Sequence, residues 1–178
     1  MKKFLVSLLL LLPLYCFAQK GEQGIGINMG FETCVNMDCK IIPLSVKYHY
    51  NLTDRVRIVP HIGYIVADEI ECINTNVYEG GVSVHYFLNG VKRFRPYLVG
   101  GISVGGYNSM VYDDLMLNGE SYSPGSKYNG FLYGVGFGGG LDCRIRDKLS
   151  LHVELLAHLS SLQDRLCFGP NIGVTYTF

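Results

Sequence analysis

Three features of this 178-residue sequence predict an all-β fold, an eight-stranded antiparallel up-and-down transmembrane β-barrel. Apolar and polar residues alternate with a period of two over most of the chain, as strands with two chemically different faces require. The connections between the alternating segments are short and long in turn, as in consecutive hairpins of a barrel. Glycine is concentrated in the polar row, where a narrow barrel needs room for long side chains that cross its interior.

The first residues, "MKKFLVSLLLLLPLYCFAQ", have the three parts of an export signal. Lys2 and Lys3 form the charged start, residues 4–14 the apolar run, and Cys16-Phe17-Ala18 a small-residue cleavage site. A lipoprotein signal with Cys16 as the lipidated residue is the alternative, and bulky Tyr15 just before it argues against that. The division is then a signal peptide at 1–18 and one barrel domain at 19–178, which is 160 of the 178 residues. The 15 Lys and Arg lose Lys2 and Lys3 with the leader, leaving 13 against 15 Asp and Glu, so nucleic acid is excluded as a partner. No later segment has 18 consecutive apolar residues, which excludes a second helical span.

Eight alternating segments follow, each with an uncharged row and a polar row. Segment 24–31 sets Ile25, Ile27, Met29 and Phe31 against glycine and Asn28, and segment 42–50 sets Leu44, Val46, Tyr48 and Tyr50 against Lys47 and His49. After the tight turn "NLTDR", segment 56–67 carries Val56, Ile58, Ile62, Tyr64 and Val66 opposite Arg57 and His61. Segment 77–88 carries Val82, Val84, Tyr86 and Leu88 opposite Glu79 and His85. The turn "NGVKRF" leads to segment 95–107, with Leu98, Ile102 and Val104 in the apolar row. Segment 128–145 carries Phe131, Tyr133, Val135, Phe137 and Leu141 opposite Asp142, Arg144 and four alternate glycines. The turn "RDK" leads to segment 149–160, with Leu151, Val153, Leu155 and Leu159 opposite His152, Glu154 and His158. Segment 168–178 closes the chain with Ile172, Val174, Tyr176 and Phe178. The connections at 32–41, 68–76, 112–127 and 161–167 are long.

Alternation alone does not say which row faces out, since a soluble lipocalin-like barrel would bury the apolar row. Glycine decides it. On a solvated strand face each glycine costs about 0.5–1 kcal/mol relative to alanine with nothing gained. Within a narrow barrel the glycines at 134, 136, 138 and 140 act as spacers, so the polar row faces inward and the apolar row faces lipid. The stretch Gly134-Val135-Gly136-Phe137-Gly138-Gly139 also fits G-x-G-x-x-G, but no helix pattern follows it, so a nucleotide site is rejected.

The terminal "NIGVTYTF", the turn "YNLTDRVRI" and "RPYLVGGISVGG" resemble the OmpA/OmpX-type outer-membrane β-barrel domain family over essentially the whole chain after the leader. The resemblance implies a porin-like, integral protein of a Gram-negative outer membrane, with termini and tight turns in the periplasm. It also implies a monomer without cofactor, surrounded by outer-membrane lipid and lipopolysaccharide. Tyr176 and Phe178 would be the assembly signal read by the barrel-assembly machinery, beside the plainer role of interfacial aromatics. The long loops carry Glu32, Asp38, Asp68, Glu69, Glu71, Asp113, Asp114, Glu120 and Asp164 against Lys40, Lys127 and Arg165, whereas the tight turns are basic. Acidic loops share divalent cations with lipopolysaccharide, meet a basic extracellular ligand, or are simply solvated.

In the interior, Lys47, Arg57 and Arg144 balance Glu79, Asp142 and Glu154, and a paired network with His49, His61, His85, His152 and His158 is expected. The histidines are scattered over different strands, so no metal site is expected. A lumen of eight strands is filled by its own side chains, which favours a sealed core over a narrow solute channel. Cys34, Cys39, Cys72 and Cys167 lie in or beside the loops and are disulfide candidates with three pairings; Cys34–Cys39 and Cys72–Cys167 are favoured, and a zinc site is the minor reading. Cys143 is expected to be a free, lipid-facing thiol. One stretch, "HLSSL", resembles the His-x-Ser motif of the lipid A 3-O-deacylase family, which would make His158 the base and Ser160 the nucleophile. The supporting acid of that family is missing from "PNIGVTY", and the register points both residues inward. The expected function is a non-catalytic barrel with surface loops in a structural or binding role; a lipid A-modifying hydrolase is the alternative and a channel the third.

Overall fold

The structure, a computed structural model, describes residues 21–35, 40–67, 73–88, 93–111, 115–117, 120–122, 124–161 and 165–178. The proposed leader, Cys16 included, lies outside the described residues, as do Cys39 and Cys72. The strands are β1 (Gln23–Gly30), β2 (Glu32–Cys34), β3 (Lys40–Asn51), β4 (Val56–Ala67), β5 (Ile73–Phe87), β6 (Phe94–Val111), β7 (Leu115–Leu117), β8 (Glu120–Tyr122), β9 (Lys127–Arg146), β10 (Leu149–Ser160) and β11 (Arg165–Thr177).

Eight long strands form one closed antiparallel barrel in the order β1-β11-β10-β9-β6-β5-β4-β3, and β3 pairs back onto β1. The short β2 continues the line of β1 beyond Phe31 and pairs with both β11 and β3. The fold is therefore the eight-stranded up-and-down barrel that the alternation predicts, with a small β7–β8 hairpin inside the third long connection. Strands β5, β6 and β9 extend beyond the alternating segments towards the loop end. Around Asn76 and Asn108 both faces are polar, and backbone pairing needs no alternation, so sequence marks such stretches as loop.

The apolar row faces outward. Ile27 is 68% exposed, Ile102 66% and Phe131 70%, whereas His85, Asp142 and Glu154 are each 1% exposed in the interior. This inverts a water-soluble protein, and it is the distribution that a strand-built membrane span requires. No helix among the described residues is long and apolar enough to cross a membrane.

The interior glycines have a specific job. Gly136 lies directly opposite His158, Gly81 opposite His61, Gly140 opposite Tyr97 and Gly173 opposite His152. A Cβ on Gly136 would lie 2.6 Å from the His158 ring, one on Gly140 2.6 Å from the Tyr97 ring and one on Gly81 2.8 Å from the His61 ring. Each glycine thus leaves the space that a cross-strand ring fills.

Candidate functional site in the barrel interior

The inward rows build a polar interior with three levels, named here from the end carrying the tight turns and both termini. At the turn end, the Phe87 ring lies between the guanidinium groups of Arg57 and Arg95, 4.8 and 4.5 Å from its centroid. Both arginines donate to Asp142 Oδ2, at 2.9 and 3.2 Å, and Arg57 Nε also donates to Asn51 Oδ1 at 2.7 Å. A cation over a ring face is attracted by the ring quadrupole, so the two arginines and Phe87 hold one another in a plug. Arg144 does not join them: it pairs with Glu22 at 2.8 Å on the partly solvated rim.

At mid-height, Lys47 Nζ donates to Glu154 Oε2 at 2.7 Å and Tyr97 Oη donates to Glu154 Oε1 at 2.8 Å. The His85 ring stacks on Tyr97 at 4.7 Å, with His49 6.3 Å from His85 and His152 5.8 Å from His49. Charges taken this far from water are tolerated only when each is neutralised and hydrogen-bonded, and the Lys47–Glu154–Tyr97 group meets both conditions.

At the loop end, Glu32 from β2 is 2% exposed. Its two oxygens are taken by His158 Nδ1 at 3.1 Å and by Asn171 Nδ2 at 3.1 Å, and Asn28 Nδ2 donates to Asn171 Oδ1 at 3.3 Å. Beside this group the disulfide Cys34–Cys167 joins the paired strands β2 and β11, with Cα atoms 4.0 Å apart. Ile41 completes a small apolar cap with the two half-cystines.

The expected disulfide pairings are therefore corrected: Cys34 bonds Cys167, which excludes both Cys34–Cys39 and Cys72–Cys167. Barrel closure brings the first and last strands together and sets the two cysteines directly opposite each other, a contact between residues 133 positions apart that local spacing does not reveal. Cys143 is free and half-buried. Tyr176 and Phe178 are exposed on the outer face of β11 and just beyond it. His158 and Ser160 both line the cavity inside the loop end, while Leu159 between them faces out. Glu79 and His61 line the interior at the same level. Among the described residues, no group of three or more His, Cys, Asp or Glu side chains is arranged to hold a metal ion.

Sequence reasoning places Glu32 in an acidic loop and Arg95 in a basic turn, and it leaves out Tyr97, Phe87 and Asn171. The signal for three of them is present. Glu32 is the next even-numbered residue after Gly24, Gly26, Asn28 and Gly30, and Arg95 and Tyr97 alternate with outward Leu98. Phe87 is hidden because an aromatic ring in a polar row looks like an irregularity until its two arginine neighbours are known.

Three solved structures share this architecture. Neisserial surface protein A matches with a TM-score of 0.66 at 14% identity, over 90% of this chain and 98% of that one. A major outer membrane protein from Thermus thermophilus matches with a TM-score of 0.61 at 10% identity, over 90% and 100%. Ail, the attachment invasion locus protein of Yersinia pestis, matches with a TM-score of 0.54 at 13% identity, over 89% and 97%. Neither a scan against protein families nor a search of curated proteins finds a match to this chain. At such identities the likeness is one of fold: the chain has the fold of the small eight-stranded outer-membrane barrels.

Proposed function

We propose that the protein is a non-catalytic integral barrel of a Gram-negative outer membrane, with a sealed polar interior and acidic loops presented to the outside. The observation that carries this reading is the inversion of the two faces, an uncharged apolar exterior around a charged and hydrogen-bonded interior. Termini and tight turns on the periplasmic side follow from the resemblance, as does recognition of Tyr176 and Phe178 by the barrel-assembly machinery. The test is fractionation of cells that express the protein, combined with electrophoresis of unheated and boiled samples. A folded, urea-resistant membrane species that migrates faster unheated supports the reading; recovery in the soluble fraction overturns it. Silence in a planar bilayer is the expected result for a lumen plugged by Arg57, Phe87 and Arg95, and steady conductance would favour the channel instead.

With Glu32 turned inward, the long loops retain eight acidic residues against Lys40, Lys127 and Arg165. Such loops suit a basic ligand, or cations shared with lipopolysaccharide. A structure of Ail is of its complex with the heparin analogue sucrose octasulfate. Charge argues against a polyanion here, so whole cells displaying this protein should bind a polylysine probe and not heparin. The hydrolase reading gains one observation, since Glu32 supplies His158 with the carboxylate partner that "PNIGVTY" lacks. Against it, His158 and Ser160 face the lumen while acyl chains lie outside. Unchanged lipid A by mass spectrometry, after incubation with folded protein, is the expected outcome.

A further inference from the structure

The wall of the barrel is not level at the loop end. Strand β9 pairs with β6 from Lys127 onward without a register shift. Its ladder with β10 starts only at Gly134, opposite Ser160. One further contact closes that side: Ser161 N donates to Tyr133 O at 2.9 Å, and Tyr133 N donates to Ser161 Oγ at 3.0 Å. Residues 127–132 therefore form an edge that projects beyond β10, backed by β6 and, through β6, by β5 from Ile73.

Successive residues of a strand turn their N–H and C=O groups to opposite edges. Tyr133 faces β10, and on the other side Val111 N donates to Ser126 O at 3.1 Å. Even-numbered residues of this stretch thus bond β6, and odd-numbered ones face the open edge. Asn129 and Phe131 direct their backbone groups away from the sheet, and among the described residues nothing pairs with them there. The β7–β8 hairpin forms a separate sheet. Exposed edges are commonly protected from pairing by proline, a bulge or an inward charge. Between Lys127 and Tyr133 there is no proline, no bulge and no inward charge, and Phe131 is 70% exposed.

The spacing selects the occupant. A donor and an acceptor that recur at every second residue, about 6.6–6.8 Å apart, match another extended backbone. The exposed side chains of Phe131 and Tyr133 add an apolar surface for the alternate side chains of such a strand. A second copy in the same membrane does not fit, because a twofold axis along the membrane normal would set N–H against N–H.

We propose that the loop-end edge of β9 is a strand-addition site for an extended segment of an extracellular polypeptide. The segment pairs through the backbone groups of Asn129 and Phe131 and sets an apolar side chain against the Phe131 ring. Its extracellular origin rests on the membrane orientation proposed above; the pairing itself does not.

The test uses the refolded full-length barrel in detergent, with amide hydrogen exchange followed residue by residue by NMR. The probe is an acetylated synthetic peptide of alternating valine and threonine with a lysine at each end. The control is the same peptide N-methylated at every residue, which cannot donate. In the free barrel the Asn129 and Phe131 amides should exchange readily, while those of Gly130 and Leu132, which face β6, are protected. The peptide should slow exchange at Asn129 and Phe131 at least tenfold, and the N-methylated peptide should not. Asn129→Pro removes a donor from the open edge and none from the ladder with β6. This variant, verified as folded by its unheated electrophoretic mobility, should bind the peptide at least tenfold more weakly; the N-methylated peptide makes the same test without a substitution. Protection of Asn129 and Phe131 in the free barrel would overturn the proposal, since the chain would then cover its own edge. Equal protection by the N-methylated peptide, undiminished binding by folded Asn129→Pro, or no protection by the peptide at all would overturn it as well.

Discussion

The turn-end and loop-end halves of the barrel interior are built from the same kind of row, yet they solve opposite problems. Near the turns, every ionic group finds a partner: Arg57 and Arg95 share Asp142 and clamp Phe87, and Lys47 with Tyr97 saturates Glu154. Near the loops, Glu32 is saturated, Glu79 is not, cavities remain, and a covalent bond closes the seam. Rigidity at one end comes from matched charge. At the other end it comes from the Cys34–Cys167 bridge, which releases the polar residues there from that task. Substitutions should respond accordingly.

The largest effect is expected from Glu154→Ala. It leaves Lys47 buried without a counter-ion and Tyr97 without an acceptor, and breaking one side of such a buried pair costs about 3–5 kcal/mol. Urea titration of the barrel in lipid vesicles should register that loss, and a change below about 1 kcal/mol would mean that water reaches Lys47. Next comes the double substitution Cys34→Ser with Cys167→Ser. Loss of a cross-link that closes so long a segment is expected to cost about 2–4 kcal/mol. Proteolysis should locate the new fraying at the loop end of the β1–β11 seam, with the turn-end half still protected. Uniform loosening of the barrel would erase the distinction between the two halves.

A pair of alanine substitutions separates the packed mid-height interior from the space beside the loop-end cavity at smaller scale. At Gly173 a Cβ would run into His152 and lie 2.5 Å from Asn28 Oδ1, so Gly173→Ala should cost about 1–3 kcal/mol by overpacking. At Gly134, beside the loop-end cavity, the nearest atoms are Ser103 Oγ at 3.1 Å and Leu159 O at 3.2 Å. Gly134→Ala should cost less than about 1 kcal/mol, the range of a tolerated strand substitution. Equal costs measured in the same urea titration would show that the loop-end space is not free space.

How much of this is legible in the sequence follows from the range of each interaction. The two rows are local: Lys47 and His49, or Ile25 and Ile27, declare their face through their neighbours, and the barrel follows from eight such segments. That interior glycines serve as spacers is also readable from their period. Which ring fills each space is not. The pairing of Gly140 with Tyr97 depends on the register between β6 and β9, and a shift by one residue would turn every side chain to the other face. The disulfide is longer-ranged still, because Cys34 meets Cys167 only when the first and last strands close the barrel. Glu32 and Arg95 are misplaced for a simpler reason. A charge beside a turn is usually solvated, and here the alternation simply continues one step further than the apolar residues suggest.

The smallest effect is the most diagnostic. Glu79→Gln removes a carboxylate that lacks an ion partner among the described residues, so the folded barrel loses no matched pair. Stability should change by less than about 1 kcal/mol, because Glu79 is only half-buried and a partly solvated charge contributes little. Chemically, the change resembles Glu154→Gln, an isosteric loss of one charge, yet at Glu154 it would strand Lys47. If the two glutamine variants are equally destabilised in vesicles, Glu79 has a counter-charge that holds the fold together, and the loop-end interior is a second plug. If Glu154→Gln is costly and Glu79→Gln is not, the two halves differ in kind: the charges of one are held in buried pairs, and Glu79 in the other is not.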